Sequence, residues 1–202
     1  TLVNDEGSEE AYVFDLDDPD VLLGTGIPGT PEELQIEQAL AREVIRTLVS
    51  GARQGWRIAP DEQTPSFDPI IGAGAILTEA PSPGISAMLL LDALQPEGVT
   101  ELALDRSNLL SAAGVIAYLK PLITVQVLEN SGLLPLGTAF SASGQARYGR
   151  AAMHVQVQPE SGPTINHTVK CGELWLAPVP PGVAARVTVR MLSGLKIGGK
   201  RR

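Results

Sequence analysis

The spacing of the apolar residues changes once along this chain, near residue 130, and that change limits the fold more than any other feature. Before it, stretches with apolar residues at helical spacing alternate with short apolar runs of strand length. After it, Met153, Val155 and Val157 alternate with polar residues, and a period of two is typical of strands. Alternating helices and strands favour an α/β layer with parallel strands. The sequence therefore predicts a helix-flanked, mainly parallel sheet followed by an antiparallel β module, a barrel or a sandwich.

Local signals place the individual elements. Thr30 and Glu33 form a capping box around Pro31, and Asp105 or Ser107 is suited to cap a later helix. Helices are predicted over residues 31–52, 83–94 and 108–119. Strands are predicted at residues 70–71, 99–104, 122–128, 135–138, 152–158, 164–169, 172–176 and 184–190, and short ones at 11–14 and 21–23.

Charge and pattern divide the chain into three parts. An acidic N-terminal segment covers residues 1–29, the α/β region covers residues 30–130, and the antiparallel β module with a basic end covers residues 131–202. The net charge of −8 is uneven, because no Lys or Arg precedes Arg42 and no acidic residue follows Glu173. Oppositely charged ends predict a salt-sensitive self-association, within one chain or between two copies.

Composition disfavours several classes of protein. A run of about 18 apolar residues does not occur, so no membrane-spanning helix is expected, and no signal peptide is expected either, because no basic segment followed by an apolar one is found at the start. The lone Cys171 allows neither an internal disulfide nor a cysteine-based zinc site, and a cytoplasmic location is predicted. The acidic charge and an aromatic content of 4% argue against nucleic-acid binding. The chain begins at Thr1 rather than Met, which predicts a piece of a longer protein.

Candidate catalytic groups are few. The two histidines, His154 and His167, are expected at the surface, and Cys171 is expected to be a small core residue without an activating partner. Neither a Gly-x-Ser-x-Gly elbow nor a Gly-x-x-x-x-Gly-Lys-Ser/Thr phosphate loop occurs. The acidic run at residues 17–20 lacks the spacing of an EF-hand and is expected to be a solvated turn. The sequence thus predicts no catalytic residue and no metal ligand.

A glycine turn is the one candidate binding feature. A short apolar run leads into Gly72, Ala73, Gly74 and Ala75, and a helix start follows. Strand, glycine turn and helix in this order bring backbone N–H groups close to a phosphate or nucleotide, so these four residues are predicted to bind a nucleotide. Alternatively, the two glycines only let a helix pack tightly on the sheet. A lone Gly-x-Gly is a weak motif, and the residues alone leave both interpretations open.

Three stretches carry a family resemblance. They are IIGAGAILTEAPSPG at residues 70–84, LLLDALQPEGVTELALD at residues 89–105, and VQVL at residues 125–128 with GLLPLGT at residues 132–138. Together they resemble the glutamate mutase MutL family, which is associated with mutases and is unrelated to the mismatch-repair protein of the same name. The resemblance spans about residues 35–190 and is more specific in the middle of the chain than in the β module.

The resemblance has implications for fold and ligands. The family is similar to the actin, sugar kinase and Hsp70 class of ATPases and is thought to serve adenosylcobalamin-dependent mutases as a chaperone or reactivase. This implies an actin-like ATPase lobe in which Gly72, Ala73 and Gly74 face the adenosine of a nucleotide, with ATP and Mg²⁺ as ligands of the parent protein. That class also uses two phosphate loops, and neither is recognisable here. The isolated chain is therefore expected to hold no cofactor and to be inactive.

Two functional hypotheses result. In the first, the chain is a nucleotide-lobe fragment of a MutL-like ATPase that acts on an adenosylcobalamin-dependent mutase, and residues 72–75 edge an open cleft. In the second, it is a non-enzymatic interaction or assembly module of unknown partner, without a cleft at Gly72. A stand-alone hydrolase is disfavoured because no base and nucleophile pair is evident.

Overall fold

The computed structural model describes residues 2–3, 9–10, 28, 30–52, 55, 67–128, 132–180, 182–192 and 194–197. The chain divides into two compact units, Thr1–Leu40 and Ala41–Arg202. In the first unit, strands β1 (Leu2–Val3) and β2 (Glu9–Glu10) pair antiparallel. The strands predicted at residues 11–14 and 21–23 and the acidic run at residues 17–20 lie outside the described residues.

The helices that begin at Pro31, Pro83 and Leu109 start at, or one residue from, their predicted positions, whereas those that begin at Ala75 and Pro121 were not predicted. They are α1 (Pro31–Ala52), α2 (Ala75–Thr78), α3 (Pro83–Leu94), α4 (Leu109–Leu119) and α5 (Pro121–Val127). At the start of α1 the Glu33 N–H donates to Thr30 Oγ1 at 3.2 Å, and the Thr30 N–H donates to Glu33 Oε2 at 3.3 Å, which completes the capping box. At the start of α3 the Ile85 N–H donates to Ser82 Oγ at 3.4 Å. Among the helices of the described residues, none has the length and apolar content needed to span a membrane.

The first sheet has the order β3-β4-β5-β9. Its strands are β3 (Ile70–Gly72), β4 (Gly98–Leu104), β5 (Leu134–Ser143) and β9 (Lys196–Ile197). Only β3 and β4 are parallel, while β5 pairs antiparallel with both β4 and β9. The expectation of a mainly parallel sheet is therefore wrong, and the sheet is mixed. Strand β5 belongs to the predicted β module by sequence, but it pairs with β4 in the sheet of the α/β region. The division of the chain into segments 1–29, 30–130 and 131–202 stays a prediction.

The strand predicted at residues 122–128 is not observed, because most of these residues are helical. Residues 122–128 are rich in β-branched side chains, but most of them lie in α5. Pro121 occupies the first turn of that helix, where its missing N–H costs nothing. The Thr124 hydroxyl donates to the Ala113 carbonyl at 3.3 Å and ties α5 to α4. Strand propensity is a weak preference, and packing of the two helices overrides it here.

The second sheet is antiparallel, as predicted, with the order β7-β6-β8. Its strands are β6 (Ala151–Pro159), β7 (Ile165–Lys170) and β8 (Ala185–Met191). Met153, Val155 and Val157 are buried on one face, and the residues between them are exposed. The strand predicted at residues 172–176 is absent. There the Glu173 N–H donates to the Lys170 carbonyl, which closes a turn.

Each sheet of the second unit carries its own core. Six buried residues form the first, namely Ile70, Leu77, Leu89, Leu90, Leu102 and Leu104. Four form the second, namely Met153, Val155, Val157 and Val169. Burial of such side chains is the main favourable contribution to stability.

The turn that follows β7 contains a pH-sensitive carboxylate. Glu173 accepts a hydrogen bond from the Lys170 N–H at 2.8 Å and lies 2.9 Å from His167 Nε2, and these contacts lower the pKa of Glu173 below its ordinary value of 4.5. A group with a lowered pKa in the folded state stabilises the fold above its unfolded pKa, and that stability is lost as the pH falls through the folded pKa. We expect the free energy of unfolding to fall below pH 4.5 and to fall less in Glu173→Gln. Urea unfolding across this pH range measures the effect, and identical pH profiles would contradict it.

Candidate functional site

The predicted glycine turn lies at the carboxyl end of β3, between that strand and α2. Gly72 is buried, and a Cβ atom there would lie 3.0 Å from Leu104 Cδ2, 3.0 Å from Leu77 Cδ1 and 3.2 Å from Leu90 Cδ1. Side chains of three leucines of the first core thus surround the position that a Cβ of residue 72 would take. Gly72 serves close packing of helices on the sheet, which is the alternative that the sequence left open.

Gly74 has a different role. Its φ of 93° favours glycine, and no atom lies within 4 Å of the position that a Cβ would take. Ala73, Gly74 and Ala75 are all exposed. The turn therefore presents backbone and small side chains to solvent, and the conformation of Gly74 rather than any close contact requires glycine there.

Asp105 follows β4 directly and joins the turn to α4. Its side chain is 2% exposed, its N–H donates to the Gly72 carbonyl at 2.8 Å, and its carboxylate oxygens accept from the Leu109 and Leu110 N–H groups, each at 2.8 Å. A carboxylate at a helix N-terminus satisfies unpaired donors and complements the helix dipole. The carboxylate of Asp105 therefore already occupies the place where α4 would otherwise hold an anion.

An open cleft of about 800 Å³ lies beside the carboxyl end of β4. Glu79, Arg106 and Ser107 are its charged and hydroxyl-bearing lining residues, and Leu128, Leu133 and Leu134 contribute apolar surface. Ligands of open α/β sheets bind at this end of parallel strands. None of the four predicted nucleotide-binding residues lines the cleft. Arg106 and Ser107 were not predicted as site residues. Their position just after the strand predicted at residues 99–104 could have indicated them, because ligands bind at that end of a strand.

The helical pair α4–α5 carries an exposed apolar surface that sequence analysis did not predict. Its eight exposed large side chains, called here the α4–α5 surface, are Val115, Ile116, Tyr118, Leu119, Leu122, Ile123, Val125 and Val127. The exposed fractions reach 71% for Val115, 91% for Tyr118, 71% for Leu119 and 78% for Leu122. Together with Ala112, the residues Val115, Ile116 and Leu119 follow the i, i+3, i+4, i+7 spacing that normally marks a buried face.

Other candidate groups of the second unit have structural partners. His154 is exposed, as predicted, and its Nδ1 lies 2.8 Å from Thr168 Oγ1. His167 is half-buried, and its ring stacks on Trp175 with the ring centres 4.6 Å apart. Cys171 is half-buried, and its Sγ lies 3.6 Å from the Ala146 carbonyl oxygen. Within the described residues, no three His, Cys, Asp or Glu side chains come together in a way that could hold a metal ion.

Comparison with known proteins identifies the family. A family model described as MutL protein matches residues 23–131, which is more than half of the chain and includes every helix described above. No curated protein and no solved structure matches the chain. The family match ends before β5, so the antiparallel sheet lies outside it. The chain belongs to the MutL protein family, the glutamate mutase MutL family.

Proposed function

We propose that this chain is the protein-binding portion of a MutL-family protein that serves an adenosylcobalamin-dependent mutase as a chaperone or reactivase. The α4–α5 surface is the observation that carries the proposal, since it lies within the family-matched residues. Large exposed apolar patches on a folded domain mark contact sites for proteins or membranes. A cytoplasmic mutase is the partner that the family favours.

The area and charge of the α4–α5 surface fit a protein interface. With about half or more of each side chain exposed, the eight residues leave on the order of 100 Å² each in solvent. A standard protein interface buries roughly 800 Å² per partner, and the side chains that share one face of this surface would supply part of that area. Across residues 109–127 the one charged side chain is Lys120. Binding through this surface should therefore depend on apolar burial and respond little to salt.

A titration of adenosylcobalamin-dependent glutamate mutase with the chain tests the proposal. We expect saturable binding for the unaltered chain and affinity at least about tenfold weaker for the double variant Val115→Glu with Leu119→Glu, because buried carboxylates without partners are costly. Both positions are exposed, so the variant should fold normally.

The matched control is Leu176→Glu. Leu176 is 82% exposed and lies outside the family-matched residues, so this variant should bind as the unaltered chain does. Equal affinity of the double variant and the control, or no binding of the mutase by the unaltered chain, would refute the proposal.

A nucleotide role in the parent protein is a second candidate. The exposed, small residues Ala73, Gly74 and Ala75 could lie against the adenosine end of ATP, with Gly72 contributing backbone alone. Bound Mg²⁺ and ATP phosphates would need residues beyond these, because Asp105 fills the N-terminus of α4. Contacts to adenosine that are equal in ground and transition states do not accelerate hydrolysis. We therefore propose that the isolated chain is inactive; micromolar MgATP affinity by calorimetry, or phosphate release, would overturn this.

A further inference from the structure

Strand β8 has an open edge in the second sheet. The Leu192 N–H donates to the Ala152 carbonyl and the Glu160 N–H donates to the Ala184 carbonyl, each at 2.9 Å. In an antiparallel pair such hydrogen-bonded positions alternate with positions whose backbone groups point away from the neighbour. The N–H and C=O groups of Val187, Val189 and Met191 therefore face away from β6. No strand of the described residues pairs with that edge.

The inner side of this edge is an apolar groove. Val187, Val189 and Met191 are half-buried, whereas their neighbours on β6 are buried. An open pocket of about 380 Å³ is lined by these three residues together with Val99, Phe140 and Ile197 of the first sheet, so all six lining residues are apolar. The inner face of β8 thus leaves room for further apolar side chains.

The outer side of the same edge is basic. Arg186, Thr188 and Arg190 are exposed, and neither arginine forms an ion pair with a described residue. Strands β6, β7 and β8 contain no acidic residue, although the whole chain has a net charge of −8. A positive face on an acidic protein favours a partner that carries carboxylates.

We propose that the open edge of β8 binds an extended segment of a partner protein in which apolar and acidic residues alternate. The segment adds a strand and pairs with the free backbone groups of β8. Because side chains alternate between the two faces of a strand, its apolar side chains enter the groove and its carboxylates meet Arg186 and Arg190. Arginines on an edge strand also protect against aggregation, but that role does not require an unfilled apolar groove behind them.

A synthetic peptide tests the proposal with the full chain. The probe is a fluorescein-labelled peptide of about nine residues, the length of a long strand, with alternating valine and glutamate. Its anisotropy should rise saturably with chain concentration, and the affinity should fall as salt is added. The double variant Arg186→Glu with Arg190→Glu should bind at least about tenfold more weakly, because charge-assisted hydrogen bonds are lost and replaced by repulsion.

Two controls separate this site from general charge attraction. The double variant Arg147→Glu with Lys170→Glu makes the same change in charge at exposed residues outside β8 and should bind as the unaltered chain does. A peptide of the same composition with valines and glutamates in separate blocks should bind at least about tenfold more weakly, because it cannot present one apolar and one acidic face.

Three results would overturn the proposal. They are no binding of the alternating peptide, equal binding by the Arg186→Glu, Arg190→Glu variant, and equal affinity for the block peptide. Sedimentation tests whether a second copy of the chain binds this edge instead. If the chain forms a dimer that the Arg186→Glu, Arg190→Glu variant does not form, and the peptide does not bind, then the edge binds a second copy and not an acidic segment of another protein. Strand β8 lies outside the family-matched residues, and peptide binding there is expected to weaken with salt. The proposal for β8 can therefore fail or hold independently of the proposal for the α4–α5 surface.

Discussion

The Asp105→Ala variant should have a free energy of unfolding about 2–3 kcal/mol lower than that of the unaltered chain, because it loses a helix cap and leaves two half-buried N–H donors unpaired. The carboxylate of Asp105 accepts from the first two N–H groups of α4, and its backbone N–H anchors the residue to Gly72. Alanine keeps the backbone bond and removes both carboxylate bonds. Urea unfolding followed by circular dichroism measures the change.

The variant Asp105→Asn is the matched control for this prediction. Its amide has one acceptor oxygen, so it should retain one of the two bonds to α4 and show a smaller loss than alanine. A loss below about 0.5 kcal/mol for Asp105→Ala, the range of ordinary surface substitutions, would show that α4 does not depend on this cap.

Gly72→Ala should lower the free energy of unfolding by about 1–3 kcal/mol, the usual cost of adding a methyl group to a filled core. The added Cβ would lie 3.0 Å from two leucine methyl groups and 3.2 Å from a third, on three different elements of the first core. These side chains cannot all move away without disturbing the packing of α2 and α3 on the sheet. Urea unfolding again gives the value.

Gly114→Ala makes the same chemical change with the opposite expected sign. Gly114 lies inside α4, is exposed, and has no atom within 4 Å of the position of an added Cβ. Alanine should stabilise the chain there by about 0.5–1 kcal/mol, because glycine is a poor helix former. A Gly72→Ala variant as stable as Gly114→Ala would show that Gly72 is not a packing glycine.

Local signals were enough to predict most elements. The capping box at Thr30 and Glu33 gave the observed start of α1, and the pattern at residues 99–104 lies within β4. Strands β6 and β8 followed from a period of two. In each case the information is contained in a few consecutive residues, which is why no knowledge of distant contacts was needed.

The remaining features depend on contacts that a linear pattern does not contain. Residues 122–128 carry side chains suited to a strand, and packing of α5 against α4 decides their conformation. The role of Gly72 depends on leucines up to 32 residues away, Leu104 being the farthest. The apolar spacing of α4 predicts a buried face, but it does not say whether this chain or a partner covers it.

Hydrogen exchange of the chain with and without glutamate mutase tests the central claim most directly. Amides that a partner covers, or that open less often in the complex, exchange more slowly. We predict slower exchange in Leu109–Leu119 and Pro121–Val127 when the mutase is present, and unchanged exchange in Ile165–Lys170 of the antiparallel sheet. Unchanged exchange throughout α4 and α5 at saturating mutase would contradict the assignment of the α4–α5 surface as the mutase-binding site.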